Sequence, residues 1–281
     1  MMTSNEQISS MQPILFLDSG IGGLSILTEA KKAVPDAQYI YLADYAALPY
    51  GNKSEAEIAA RVPALLGRAV ERYRPRLITI ACNTACTIAL SHVRAALDVP
   101  IVGTVPAIKP AAALSTTKVI GILGTAATIR QPYVEKLYQQ YASDCMLIRS
   151  AAPDLVGAAE AKMRGEDVPI KIYENAISNL LQHEQAKNMD VIILGCTHFP
   201  LVKDELSAAA LKLGMAEHLK FIDGAQGISR RIDFLTKEQK FAGNHGHNIG
   251  KDKFFYTGEN IDIEKLIPNL TKIGFTEFSE F

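Results

Sequence analysis

The chain has 281 residues, enough for one large or two modest domains around a real hydrophobic core. Hydrophobic residues make up 48% and charged residues 21%, and 29 basic side chains against 30 acidic ones leave a net charge of −1. That near-neutral balance excludes the strongly basic surface of a sequence-independent phosphate binder, so no nucleic-acid partner is expected. No apolar run reaches membrane-spanning length, and the opening MMTSNEQISSMQP has neither the basic region nor the apolar core of an export signal. The expectation is a protein with no membrane partner, in the cytoplasm.

From the N-terminus, Ile14–Leu17 is the first predicted strand, and DSGIGG follows at once from Asp18 to Gly23. Glycines there let the backbone approach a ligand closely. Tyr39–Leu42 is the second strand. Ser54-Glu55-Ala56-Glu57 reads as a capping box opening a helix towards Tyr73. The strand Leu77–Ala81 stops at Cys82-Asn83-Thr84. Val119–Leu123 runs into Gly124 and Thr125, Met146–Arg149 follows, and Val191–Leu194 runs into Gly195-Cys196-Thr197-His198. An amphipathic helix is expected over Leu201–Leu213, then a short strand at Phe221–Ile222. GNHGHNIGK at Gly243–Lys251, with His245 and His247, reads as a polar surface loop.

These strands are short and apolar throughout, as strands covered on both faces are. Their alternation with helical segments predicts an α/β fold with mostly parallel sheets. The chain also repeats itself. ILFLDSG has a counterpart in VIGILGT, and LITIACNT has one in VIILGCTH, at similar separations. Two pseudo-symmetric α/β domains facing each other are therefore expected, with the active site in the cleft between them.

In open parallel sheets, ligands gather at the carboxyl ends of the strands. Asp18, Cys82, Thr125 and Cys196 each follow a predicted strand. If the halves face each other, one thiol stands on each side of a bound small molecule. Each cysteine also precedes a predicted helix, whose free N–H groups and partial positive charge favour thiolate over thiol. Asn83, Thr84 and Thr197 offer hydrogen bonds suited to carboxylate oxygens, Ser19 adds a hydroxyl, and His198 stands two residues from Cys196 to assist proton traffic.

Other readings of the same residues stay open at this point. A cysteine at a strand end is often only a small buried residue. Cys82, Cys86, Cys196 and His198 are a possible zinc quartet, although the two-residue knuckle spacing is missing and Cys86 reads as a core residue one helical turn after Cys82. Covalent catalysis by one cysteine leaves the second, equivalent thiol unexplained. Cys145 has no polar company and reads as structural. GIGG lacks full dinucleotide spacing, and no phosphate-loop motif is present.

Taken in order, FLDSGIGGLSIL, ADYAALPYGNKS, ACNTAC, GTVPAIKPA, GILGTAAT and LGCTHFPLV resemble the glutamate racemase family of the aspartate/glutamate racemase superfamily, from about Ile14 to about Leu235. The resemblance implies cofactor-independent interconversion of L- and D-glutamate, with D-glutamate going into peptidoglycan, no metal, and a homodimer. It implies two α/β domains, residues 1–105 plus 218–281 and residues 106–217, with the chain returning to the first after the second.

By the resemblance, Cys82 serves the D-enantiomer with Asp18 assisting, and Cys196 serves the L-enantiomer with His198 assisting. Asp18, Ser19, Tyr50, Gly51, Asn83, Thr84, Thr197 and His198 match substrate-contacting positions, and Thr125 and Thr128 are offered for the side-chain carboxylate. An aspartate racemase differs by one methylene of substrate and is the first alternative; a non-catalytic regulator is the second. Two departures stand out. Ala47 and Leu48 replace the family's usual arginine and aromatic residue before PYG. Glu160, in GAAE, matches a glutamate that supports the histidine, but its neighbours Gly157, Ala158 and Ala159 are smaller than usual, and it is left out of the expected site.

Overall fold

The computed structural model describes residues 12–239, 250–259 and 261–281. The predicted polar loop, with His245 and His247, lies outside them except for Gly250 and Lys251. Ten strands are present among the described residues: β1 (Ile14–Asp18), β2 (Tyr39–Ala43), β3 (Leu77–Ile80), β4 (Ile101–Gly103), β5 (Val119–Gly124), β6 (Met146–Ala151), β7 (Val191–Leu194), β8 (Lys220–Ile222), β9 (Lys253–Tyr256) and β10 (Glu277–Glu280). They form two wholly parallel sheets, one ordered β10-β9-β2-β1-β3-β4 and the other β6-β5-β7-β8.

Both faces of each sheet are covered at its central strands, which is why those strands read as apolar runs instead of alternating ones. In β1, Ile14 and Phe16 enter one core while Leu15 and Leu17 enter another. In β7, Ile192 and Leu194 face one core and Val191 and Ile193 the opposite one. The helices between strands supply the outer layers. Helix Glu55–Tyr73 starts where the capping box predicts it, with Ser54 Oγ accepting the Glu57 N–H at 3.2 Å. The helix expected over Leu201–Leu213 is entered through a 3₁₀ turn at Phe199–Val202 and becomes α-helical over Lys203–Lys212. Pro200 suits a first turn, because it lacks the N–H that an interior position needs.

The sequence repeat has a structural counterpart. The order β2-β1-β3-β4 in one sheet matches β6-β5-β7-β8 in the other. Ala81 N–H donates to Leu17 O at 2.7 Å, and Gly195 N–H donates to Leu123 O at the same distance. Each of these bonds belongs to the residue just before a cysteine. The chain turns to opposite sides of β1 and of β5, so each cysteine leaves its sheet at a topological switch point, where a crevice opens.

The return of the chain falls later than the expected boundary at residue 218. Strand β8, at Lys220–Ile222, pairs with β7 in the four-stranded sheet. Helix Ala225–Lys237 then packs on helix Leu24–Ala33 through Ala225, Ile228 and Ile232, and β9 and β10 extend the six-stranded sheet beyond β2. Among the described residues we therefore propose a division into 12–105 with 223–239, 250–259 and 261–281, and 106–222.

Candidate active site

Asp18 ends β1, and Cys82 caps helix Asn83–Ala96 one residue past Ala81. On the other sheet, Thr125 caps helix Ala126–Arg130, accepting the Thr128 N–H at 3.1 Å, and Cys196 and His198 precede the turn Phe199–Val202. All of these side chains are buried.

The two switch points meet. Thr197 Oγ1 donates to Asp18 Oδ2 at 3.0 Å, and Ser25 Oγ lies 3.1 Å from the Thr197 carbonyl that accepts from it. Asp18 Oδ1 accepts from the Ser19 N–H at 2.6 Å, and the Cys82 thiol acts on the proton affinity of this carboxyl, lowering it. Thr84 Oγ1 lies 3.1 Å from Thr125 Oγ1 and 3.3 Å from Thr128 Oγ1, so hydroxyls from both halves form one cluster. Gly51 comes against this cluster: a Cβ added there would sit 3.2 Å from Thr125 Cβ. Asn83 Oδ1 is buried with no hydrogen-bond partner among the described residues, beside Cys196 and Thr197 in the wall of a small cavity. The structure thus brings together Asp18, Ser19, Gly51, Cys82, Asn83, Thr84, Cys196, Thr197 and His198. Tyr50 differs, because its hydroxyl is engaged by Asp44 Oδ2 at 2.6 Å.

Sequence reasoning left out the group that holds the imidazole. Glu160, on helix Asp154–Met163, places Oε1 3.0 Å from His198 Nε2, while His198 Nδ1 stands 3.9 Å from Cys196 Sγ. The drift to small neighbours does not displace it. Leu155, Val156, Ala158 and Ala159 bury that face of the helix, and an acid inside such a face needs partners. That local conflict was the available signal.

Proton affinities follow from these neighbours. Burial pushes the Cys82 thiol well above its ordinary range, and the charge of Asp18 pushes it further. The Ala85 N–H in the first helical turn acts in the opposite direction and is outweighed. At Cys82 the pull of the helix N-terminus towards thiolate is opposed, because loss of water costs the anion more than the first turn returns. Charge on Cys196 also acts on Cys82, so the thiols lie within electrostatic reach of each other. Burial pushes Asp18 up, against the pull of the His198 charge. For His198, burial alone would remove the proton, but hydrogen bonds to Cys196 and Glu160 and the charge of Asp18 hold it well above the usual imidazole range.

Cys86 is separate from this network. Its thiol donates to Ile80 O at 3.1 Å, its sulfur accepts the Thr104 N–H at 3.0 Å, and burial pushes it up to about 12. The zinc quartet is not assembled, and among the described residues no group of three or more His, Cys, Asp or Glu side chains is arranged to hold a metal ion.

The pattern of the Asp/Glu/Hydantoin racemase family matches residues 24–228. A glutamate racemase of Sphingopyxis alaskensis is 56% identical over 227 residues, covering 81% of this chain and 83% of its own. One from Shewanella oneidensis is 40% identical over 271 residues, covering 94% of each. The crystal structure of Escherichia coli glutamate racemase in complex with L-glutamate and the activator UDP-MurNAc-Ala is 35% identical, superposes with a TM-score of 0.86, and covers 96% of this chain and 98% of its own.

Proposed function

The chain belongs to the Asp/Glu/hydantoin racemase family and, within it, to the glutamate racemases; it interconverts L- and D-glutamate, and we propose that it does so with Cys82 and Cys196 as opposing acid–base groups. One observation carries this reading. The residues before the two cysteines make the same strand-end hydrogen bond in two matching sheets, and each thiol has a titratable neighbour, Asp18 acting on Cys82 through its charge and His198 standing 3.9 Å from Cys196.

Racemisation removes a proton from one face of the α-carbon and returns one to the other. A single fixed base does not reach both faces, so a thiol on each side solves the geometry. With L-glutamate, Cys196 as thiolate takes the α-proton. The electron pair left on carbon spreads into the α-carboxylate, and Cys82 as thiol delivers its proton to the opposite face. With D-glutamate the roles reverse, and Asp18 accepts the proton that Cys82 must first lose. The resting proton inventory supports the L-directed state: Cys82 is held as thiol, and a charged His198 stands against Cys196.

The acidity gap between the α-C–H and a thiol is closed by donors aimed at the carboxylate, for which Ser19, Asn83 and Thr84 are assigned, with Thr197 assigned once substrate draws its hydroxyl away from Asp18. Removing one such donor typically costs about 10²–10³ in rate. Thr125 and Thr128 are assigned to the side-chain carboxylate. The chemistry on these assignments uses no group from outside the chain. Circular dichroism of pure L-glutamate with the protein and nothing else added tests it, with L-aspartate as the competing substrate. A pocket that tells them apart by one methylene gains about 1–3 kcal/mol, so aspartate is expected to turn over about 10- to 200-fold more slowly. Faster turnover of aspartate would reassign the substrate.

A second reading concerns regulation. Between β4, helix Pro132–Tyr141 and helix Ala225–Lys237 lies a cavity of about 800 Å³ whose wall includes neither Cys82 nor Cys196. Arg94, Lys109, Arg230 and Arg231 supply positive charge there, and Tyr133 and Tyr141 supply aromatic surface. Charge for a diphosphate and rings for a base suit a nucleotide-linked activator such as the one in the E. coli structure. No helix among the described residues is long and apolar enough to cross a membrane. We further propose a cytoplasmic homodimer feeding D-glutamate to peptidoglycan synthesis; a light-scattering mass of two chains is the expected result for the dimer.

A further inference from the structure

Glu160 sits on a helix of the half that carries the four-stranded sheet, yet two of its donors come from the other half. Oε1 accepts the backbone N–H of Ile21 at 2.9 Å and faces His198 Nε2 at 3.0 Å. Oε2 accepts the Tyr45 O–H at 2.9 Å, with Arg164 Nη1 at 3.9 Å on the same oxygen. Tyr45 opens the turn just after β2, and that same loop continues to Tyr50 and Gly51 at the threonine cluster.

We propose that Tyr45 is a positioning residue for the Cys196 side of the site: its hydroxyl reaches across the cleft to fix the Glu160 carboxylate, which orients the imidazole of His198 against the thiol. A carboxylate held through one oxygen can turn about its own axis. Two donors from one half, on different oxygens, fix its plane. The aligned acid–base pair then exists only while the two halves are together, so closing the cleft and arming Cys196 become one event. Burial, reinforced by the Glu160 charge, keeps the Tyr45 phenol protonated, so it remains a donor at every working pH. The charged and titratable groups that face Glu160 are His198, Arg164 and Tyr45, with Asp18 and Tyr41 close behind. Among these, Tyr45 and Arg164 take negative charge off the carboxylate and so moderate how tightly the imidazole holds its proton.

The inference rests on the reading of Cys196 and His198 as an acid–base pair. Tyr45→Phe removes the hydroxyl and keeps the ring. Losing one hydrogen bond to a positioned group is expected to lower kcat about two- to tenfold in both directions, with KM little changed. Removing that donor concentrates charge on Glu160, so the alkaline limb of the kcat/KM profile moves to higher pH. The His198 ring signals, followed by NMR, titrate higher in step. In a Glu160→Gln background, Tyr45→Phe is expected to add no further loss, because both act through one carboxylate. An unchanged rate overturns the proposal. So does a lowered rate with an unmoved profile, which assigns Tyr45 to packing, and so does a loss that simply adds to that of Glu160→Gln. Cys196→Ala separates the two readings: if it retains turnover, the two-base scheme falls, whereas an inactive Cys196→Ala beside an unaffected Tyr45→Phe removes only the role of Tyr45.

Discussion

Thr197 Oγ1 donates to Asp18 Oδ2 at 3.0 Å, tying the loop that carries one cysteine to the carboxyl that serves the other. The two proton partners are therefore not independent. Asp18 responds to the charge of His198, and His198 responds to the charge of Asp18. A substitution on either side is felt across the cleft.

Removing either thiol tests the scheme most directly. Cys82→Ala and Cys196→Ala are each expected to lower racemisation by at least about 10²–10⁴, the range for a lost acid–base group. The two enantiomers are equal in free energy, so kcat/KM must fall equally in both directions, while kcat and KM are free to diverge. In deuterated water, Cys82→Ala should still exchange the α-proton of L-glutamate without inversion, and Cys196→Ala that of D-glutamate. Exchange of the opposite enantiomer, read by proton NMR, would invert the assignment of faces.

The His198–Glu160 pair makes stability depend on pH with a definite sign. The folded imidazole binds its proton more tightly than the unfolded one, which titrates near ~6.5. The stabilisation is therefore fully present below about pH 6.5 and is lost as pH rises through the higher folded value. Glu160→Gln keeps an acceptor but removes the charge, and is expected to cost about 2 kcal/mol near pH 6. The difference should shrink in alkaline solution. Denaturant midpoints at several pH values measure it; a gap that widens with pH would contradict a charged imidazole.

Asp44 gives the opposite sign. Burial alone would raise it, but the Arg61 guanidinium, with both Nε and Nη2 at 2.6 Å, and the hydroxyls of Thr257 and Tyr50 hold it below the usual carboxylate range. Its contribution is present above about pH 4 and is lost as pH falls through the folded value. Asp44→Asn is expected to cost about 2–3 kcal/mol at pH 7 and little in strong acid. Because Asp44 anchors Tyr50, and Gly51 abuts the threonine cluster, KM for glutamate should also rise. A stability cost with an unchanged KM would detach this loop from the substrate.

The cationic cavity should respond to a nucleotide. Lys109→Ala and Arg231→Ala are expected to leave the rate without added nucleotide within about twofold and to weaken activation by UDP-MurNAc-Ala about tenfold or more, as loss of a charge-assisted phosphate contact does. Titration calorimetry of the wild type and both variants reads the affinity. Unaltered affinity in both would move the activator elsewhere.

The strand framework could be read largely from the chain, since a strand covered on both faces must be apolar at every position. Strands β1, β2, β3, β5 and β7 are legible this way, and the edge strands β6 and β8 show as short apolar runs although only partly buried. Strand β4 is too short to stand out, β9 is a brief KFFY beyond a polar stretch, and β10, with the sequence EFSE, is a polar edge. β10 lies at a sheet edge with most of its residues exposed, so it lacks the double burial that makes such a run visible.

By itself the sequence determined that two thiols follow matching strands and carry small hydrogen-bonding neighbours, because backbone pattern and local polarity are written residue by residue. Only the tertiary structure decided which groups hold the protons. The Cys82 thiol is pushed up because burial and Asp18 outweigh its helix, and the His198 imidazole is held above its usual range by Cys196 and by Glu160, 38 residues away, which Tyr45 reaches from 115 residues away. Proton affinity sums desolvation and charge over every neighbour in space, and those neighbours are set by how the two sheets meet.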